Sequence, residues 1–353
     1  MKNITKTLLV LVSSLSIAFA AQAGEVNLTG SAKASYSIGG SDDSMGKGIG
    51  VSNELSAAAS GDLDNGMSWT WHIDLDPGAS GALVQDDAAF VINTNGMGTI
   101  GFFDGEGSLH SNLAWGVGAL GTGSDYAGTM TINYGNDIDA ETNVQYHTPA
   151  DILPFGISAK VGYAPNVGDT TGGNDFKSSG GINPSNLGGS SLIQYRVDAA
   201  PLDGLSIGAD YATEDGGDTG TAQSEESGAY YAKYAIGNFK VGYGKSLYAP
   251  SLIAKNGAVT LYETTSYGVE MAVNDAFSIS YSVEKSDAES NVAIVAGASG
   301  QVKTNVEADI DSIQAAYVIG GATLGVAITE TANADYVSGK DEKVTVFSIA
   351  TEF

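Results

Sequence analysis

Apolar and polar residues alternate with a period of two along most of the chain. In the first such stretch Val26, Leu28, Ala32, Ala34, Tyr36 and Ile38 share one parity, while Glu25, Asn27, Thr29, Ser31, Lys33, Ser35 and Ser37 share the other. A later stretch sets Met67, Trp69, Trp71, Ile73 and Leu75 against Ser68, Thr70, His72, Asp74 and Asp76. Successive side chains of a strand point to opposite faces, so the pattern predicts strands with one apolar and one polar surface. It returns at residues 157–163, 205–211, 267–273 and 277–283, and sixteen segments carry it in all. No helical period is sustained beyond the first 23 residues.

The connections divide into two kinds. Residues 95–97, 149–154, 201–204, 237–238, 274–275 and 320–321 are short, and most contain Gly, Pro, Asn or Asp. Residues 165–189, 214–226, 248–258, 286–305 and 332–340 are long, and most are rich in Gly, Ser, Asp or Glu. The two kinds largely alternate, which puts the long loops at one end of the strands, as in a transmembrane β-barrel. A soluble sandwich has no reason to segregate its loops in this way.

The start of the chain reads as an export signal. Lys2 and Lys6 precede a largely apolar run over residues 8–21, and Ala21-Gln22-Ala23 offers a small-x-small cleavage site. The predicted mature chain is a single domain from Gly24 to Phe353. No later segment approaches the ~18 unbroken apolar residues of a transmembrane helix.

The basic residues test the barrel. Lys or Arg on the lipid face at mid-membrane costs about 2–4 kcal/mol. Lys33, Lys160, Arg196, Lys233 and Lys240 have the polar, inward parity. Lys47, Lys177, Lys255, Lys303 and Lys340 fall in predicted loops, and Lys245, Lys285 and Lys343 have outward parity at predicted outer strand ends. None is left for the lipid band. Tyr36, Tyr163, Tyr211, Tyr243, Tyr281 and Tyr317 have outward parity near strand ends, where an interfacial aromatic girdle belongs.

Composition narrows the partners. Among 353 residues, 15 basic and 41 acidic side chains give a net charge of −26, which excludes a nucleic-acid partner. Cysteine is absent, so there are no disulfides, thiolate metal sites or cysteine nucleophiles. A hydrophobic fraction of 42% fits a folded chain rather than an acidic disordered one.

With these features in place, the chain resembles the general porins of the Gram-negative outer membrane. Residues 87–92 and 96–102 (DAAFVI and GMGTIGF) resemble that family's fourth strand, tight turn and fifth strand. Residues 143–149 and 155–158 (NVQYHTP and FGIS) resemble the strand pair after its constriction loop, and the terminal run FSIATEF resembles its last strand. The similarity spans the mature chain, with one departure: a single arginine, which leaves no arginine ladder for the pore wall.

The resemblance decides the strand count. Residues 129–134 alternate and would make a seventeenth strand. The family instead implies sixteen antiparallel strands, with residues 104–139 forming a third loop folded into the lumen. It also implies a water-filled channel for ions and small hydrophilic solutes, and a homotrimer joined through the early strands and a second loop at 77–86. Ala32, Ala34, Ala57 and Ala59 on the outward parity allow close approach there.

The expected constriction residues are Asp104, Glu106, Asp125, Asp137 and Asp139 on the loop. They would face Lys33, Lys160, Arg196, Lys233, Lys240, Glu54 and Asp74 on the wall, with Asp198, Asp210, Glu270 and Glu284 also inward. Acids dominate, which predicts a weak cation preference. A channel with a defined solute site is the alternative, though no aromatic track or arginine cluster signals one.

Enzymatic motifs are weak. Gly116-Val117-Gly118-Ala119-Leu120-Gly121 matches a dinucleotide fingerprint, but no βαβ unit surrounds it. His72, His110 and His147 accompany neither a GxSxG elbow nor an HExxH helix. We expect no enzyme, no cofactor and no dedicated metal site. The acidic runs 169–175 and 214–218 offer weak calcium binding at most, because they lack spaced ligands.

Overall fold

A computed structural model describes residues 26–41, 44–63, 66–77, 83–149, 152–167, 190–215, 223–252, 254–255, 257–293 and 301–353. The predicted signal segment, the acidic run 169–175 and most of the run 214–218 lie outside these residues.

The strands are β1 (Asn27–Ser41), β2 (Ser44–Asp62), β3 (Ser68–Pro77), β4 (Leu83–Asn93), β5 (Thr99–Asp104), β6 (Asn143–His147), β7 (Ser158–Val167) and β8 (Ser190–Leu202). There follow β9 (Leu205–Asp215), β10 (Glu226–Ile236), β11 (Phe239–Ala249), β12 (Val259–Asn274), β13 (Phe277–Ala293), β14 (Gln301–Ile319), β15 (Ala322–Ala332) and β16 (Glu342–Glu352). Each pairs antiparallel with its neighbours in sequence, and β1 pairs with β16 to close a sixteen-stranded barrel. The carboxyl-terminal residue completes the seam: Phe353 N–H donates to Gly30 O at 2.9 Å, and Gly30 N–H donates to Phe353 O at 2.8 Å. Closure satisfies the backbone of every strand, the condition for irregular-free passage through hydrocarbon.

The alternation is realised as drawn from the sequence. Outward tyrosines fall into register across strands, with Tyr195 opposite Tyr211 and Tyr243 opposite Tyr267. All four are more than two-fifths exposed. The turn between β4 and β5 takes Asn95 and Gly96 at positive φ (55° and 93°), a conformation that glycine and asparagine tolerate best. Lys245, Lys285 and Lys343 point outward, and they pair with Glu263, Asp309 and Glu330 respectively.

Residues 129–134 form no strand and lie in the long third loop, as the count of sixteen expects. Two expectations are corrected. Residues 286–305, expected as a loop, are largely an extension of the β13–β14 hairpin, which stays in register to Ala293 opposite Gln301. A ladder beyond the membrane needs no apolar face, so apolar alternation does not announce it. For the same reason Lys47 and Lys303, expected in loops, lie in β2 and β14, opposite Ile38 and Asn291.

Candidate pore and constriction loop

The third loop leaves the wall after Asp104 and returns at Asn143. Between them it carries one short α-helix, α1 (Asn112–Trp115), two 3-10 turns (Ser124–Tyr126 and Ile138–Ala140), and no strand. Its course is fixed by backbone N–H groups that donate to polar side chains on the inner wall. Ser111 N–H donates to Asp210 Oδ1 on β9 (2.6 Å), and Ile138 N–H to Gln194 Oε1 on β8 (2.8 Å). Ala119 N–H donates to Ser280 Oγ on β13 (2.8 Å), and Leu120 N–H to Gln314 Oε1 on β14 (2.9 Å). Ser124 N–H reaches Glu284 Oε2 on β13 (2.7 Å), and Thr129 N–H reaches Glu342 Oε2 on β16 (3.1 Å). A segment without a ladder of its own must find acceptors elsewhere once it leaves water, and the wall provides them.

Apolar contacts seat the loop between these bonds. Trp115, 2% exposed, packs with Ala229 and Tyr231 on β10. A Cβ at Gly244 on β11 would overlap the Trp115 ring, so the absence of a side chain there makes room for the indole. Leu109 and Ile138 pack against Ala164, Leu192 and Ala212, while Met130 and Ile132 pack against Ala308 and Ile310. The loop therefore lines the inner wall from β7 round to β16. The inner face of β2 is left to water, with Ser52, Glu54, Ala58 and Ser60 exposed.

The expected constriction acids separate into different roles. Glu106 meets His72 of β3, with Oε2 2.5 Å from Nε2. Burial pushes the Glu106 carboxyl above its ordinary range, and His72 pulls it partly back. Asp125 is exposed and accepts the Thr122 N–H at 2.7 Å, closing a turn of the loop. Asp137 accepts from Ser108 Oγ and from the backbone of Leu109 (2.9 Å) and His110 (3.4 Å), tying the two legs of the loop together. Asp139 has its pKa raised to about 6, first by burial and then by the charge of Asp137.

Asp104 is a correction: it does not line the constriction. As the last residue of β5 it lies opposite Ala88, on the outward parity, and accepts from Thr142 Oγ1 at 2.7 Å. The expected loop boundary coincides with the strand end, and there the pleat still sets the side chain's direction.

On the wall, Lys33 stands 5.4 Å from the Tyr126 ring centroid, facing the loop across the lumen side of β1. Lys160 lies opposite Arg196 in the β7–β8 register. Arg196 donates from Nε and NH2 to Asp198 (2.8 and 3.0 Å) and from NH1 to the His110 carbonyl (2.9 Å). Lys240 pairs with Glu270 at 2.7 Å. Lys233 lies opposite Gly242 and Ser206. These four bases occupy β7, β8, β10 and β11, while Glu54 and Asp74 stand on β2 and β3, across the ring.

Four further acids expected to charge the lumen are taken up by partners. Asp198 and Glu270 are neutralised as above, Asp210 anchors Ser111, and Glu284 is fully buried beneath Ser124 and Tyr134. The anchoring role of Gln194, Ser280, Gln314 and Glu342 had no sequence signal beyond inward parity. His110 is also buried in the loop, its Nε2 donating to the Tyr134 carbonyl at 3.1 Å. The glycines of the fingerprint-like run lie in this same loop, where a Cβ at Gly118 would strike the Gly121 carbonyl. That geometry is a compact turn and no nucleotide cradle.

Solved structures share this architecture. OmpF of Salmonella typhi, in complex with daunomycin, aligns with a TM-score of 0.67 at 13% identity, covering 94% of this chain and 98% of that one. An anion-selective porin from Comamonas acidovorans gives 0.66 at 13% identity, covering 94% and 100%. The outer-membrane channel DcaP of Acinetobacter baumannii gives 0.59 at 14%, covering 94% and 98%. No family model and no curated relative matches the sequence. The chain has the fold of the sixteen-stranded general bacterial porins.

Proposed function

We propose that this protein is a passive, general-diffusion channel of the Gram-negative outer membrane, not an enzyme. The observation that carries the reading is the third loop, held flat against one side of the lumen by bonds to Asp210, Ser280, Glu284 and Gln314 while β2 faces water. A narrowed but open aqueous path admits small hydrophilic solutes and rejects large ones. Glu54 and Asp74 on one side, with Asp125 and Asp139 on the loop, favour cations weakly, and the bases beneath the loop oppose them. The comparison with an anion-selective porin of the same fold supports charge placement, rather than architecture, as what sets the sign.

A homotrimer fits the outer flank of β1 and β2. Ile49 and Val51 are 82% and 78% exposed there, beside the small residues Ala32, Ala34, Ala57 and Ala59. A heat-labile band of three times the monomer mass on a mild detergent gel is the expected result; a lone monomer band without heating would overturn it.

Planar-bilayer recording of the purified protein tests the channel. Stepwise conductance increments in threes, with a cation-signed zero-current potential in a salt gradient, are expected. Saturable block by one solute would instead mark a specific channel, and silence from folded protein would remove the channel reading.

A further inference from the structure

One acidic cluster on the lumen wall pairs with no lysine or arginine among the described residues. His72 and Asp74 point inward from β3, and Asp87 points inward from β4. The register between these strands shifts between Ile73 and Leu75, which brings the acidic residues of β4 beside Asp74. One ligand atom from each of His72, Asp74 and Asp87 lies within 4.8 Å of the others. Glu106 joins them from the root of the third loop, 2.5 Å from His72.

The second observation concerns the oxygens. Asp74 Oδ1 and Asp87 Oδ1 are shut off from solvent and accept no hydrogen bond, and Glu106 Oε2 meets only the His72 ring. Among the described residues, no lysine or arginine pairs with these three acids. Three carboxylates gathered around a single imidazole, with no lysine or arginine among them, lack a full counter-charge, and burying such charge unpaired is costly. A bound cation removes that cost.

The donor set indicates which cation. Calcium and magnesium take oxygen ligands almost alone, whereas an imidazole nitrogen beside carboxylates suits zinc and its first-row neighbours. We propose that His72, Asp74, Asp87 and Glu106 form a site for a borderline divalent metal ion such as zinc at the root of the third loop. Occupancy joins β3, β4 and the loop, and it offsets most of the negative charge of this patch of the lumen wall. The site is wet enough to load from the lumen, since the His72 and Glu106 side chains are each about one-third exposed (31% and 34%).

The test uses the full protein in detergent, stripped with a chelator and titrated with zinc chloride in a calorimeter. One zinc per protomer is expected, with at least tenfold weaker binding in His72→Ala and in Asp87→Asn, and no competition from excess magnesium. Cobalt(II) gives a second readout: visible absorption bands of a nitrogen-ligated ion, lost in His72→Ala. Heat-modifiable mobility on a gel selects variants that fold. No zinc uptake by the wild type overturns the proposal and leaves a proton shared among the carboxylates as their counter-charge. Equal uptake by the His72→Ala/Asp87→Asn double variant also overturns it and assigns the metal to the acidic outer loops. These measurements need no conduction, so they stand or fall apart from the channel reading.

Discussion

The carboxylate of Glu284 accepts the backbone N–H of Ser124 at 2.7 Å, joining β13 to a loop 160 positions earlier in the chain. The same side chain accepts the Tyr134 hydroxyl at 3.0 Å, so it clamps both legs of the loop to the wall. It is fully buried, and that is unusual for a carboxylate whose strand faces a water-filled lumen.

Removing this clamp frees the loop. In Glu284→Ala the Ser124 N–H loses its acceptor, a cost of about 1–3 kcal/mol for a buried group left unpaired, while the Tyr134 hydroxyl keeps only Ser124 Oγ at 2.8 Å. We expect a lower unfolding temperature and noisier, larger single-channel currents. Unchanged current noise in folded protein would show that the loop is held by its apolar contacts alone.

Filling the floor beneath Trp115 has the opposite effect on the pore. Gly244→Val places methyl groups where the indole lies, and overpacking of this kind costs about 1–3 kcal/mol. The loop must rise into the lumen. Single-channel conductance is expected to fall, and solute exclusion in liposome-swelling assays to tighten.

Wall charges set the selectivity. Glu54→Gln with Asp74→Asn is expected to lower the cation-to-anion permeability ratio, and Lys160→Gln with Lys233→Gln to raise it. A unit charge acts with about 1 kcal/mol at 4 Å in water, so each charge removed changes the ratio by about fivefold at that distance, and by less at high salt. Zero-current potentials in a potassium chloride gradient give the result.

Selectivity should also follow pH through Asp139. Its carboxyl, raised to about 6 by burial and by Asp137, is protonated well below that value and charged above it. Because the folded value exceeds the ordinary 3.8, the loop's stability falls as pH rises from about 4 to about 6, while its negative charge grows. His110, which lowers the value, and Asp137 are the charged or titratable neighbours in play. Cation preference should increase between pH 5 and pH 7. Asp139→Asn should flatten that rise, and an equal rise in the variant would place the titration elsewhere.

The residues that alternation placed and those it misplaced differ in kind. Lys33, Lys160, Arg196, Lys233 and Lys240 were readable as inward because a strand fixes side-chain direction with period two. Asp104 was misread because the loop was taken to begin where β5 still ends. Asp137 and Asp139 were placed in the right loop, yet Asp137 bonds its own loop and Asp139 is half-buried. Nothing in a loop without periodicity tells which carboxylate will face water.

By itself the sequence determined the membrane-facing parts of the strands, their two faces and the short turns between them, because each depends on neighbours a few residues apart; the outer ladder of β13 and β14 carries no apolar face and escaped it. The third loop's course along the wall, the conversion of Glu284, Asp210 and Gln314 from lumen lining into anchors, and the meeting of His72, Asp74, Asp87 and Glu106 were decided only by the closed barrel. Closure brings residues distant in sequence across a common lumen, and there the unmet hydrogen-bonding groups of one segment find partners that local pattern cannot specify.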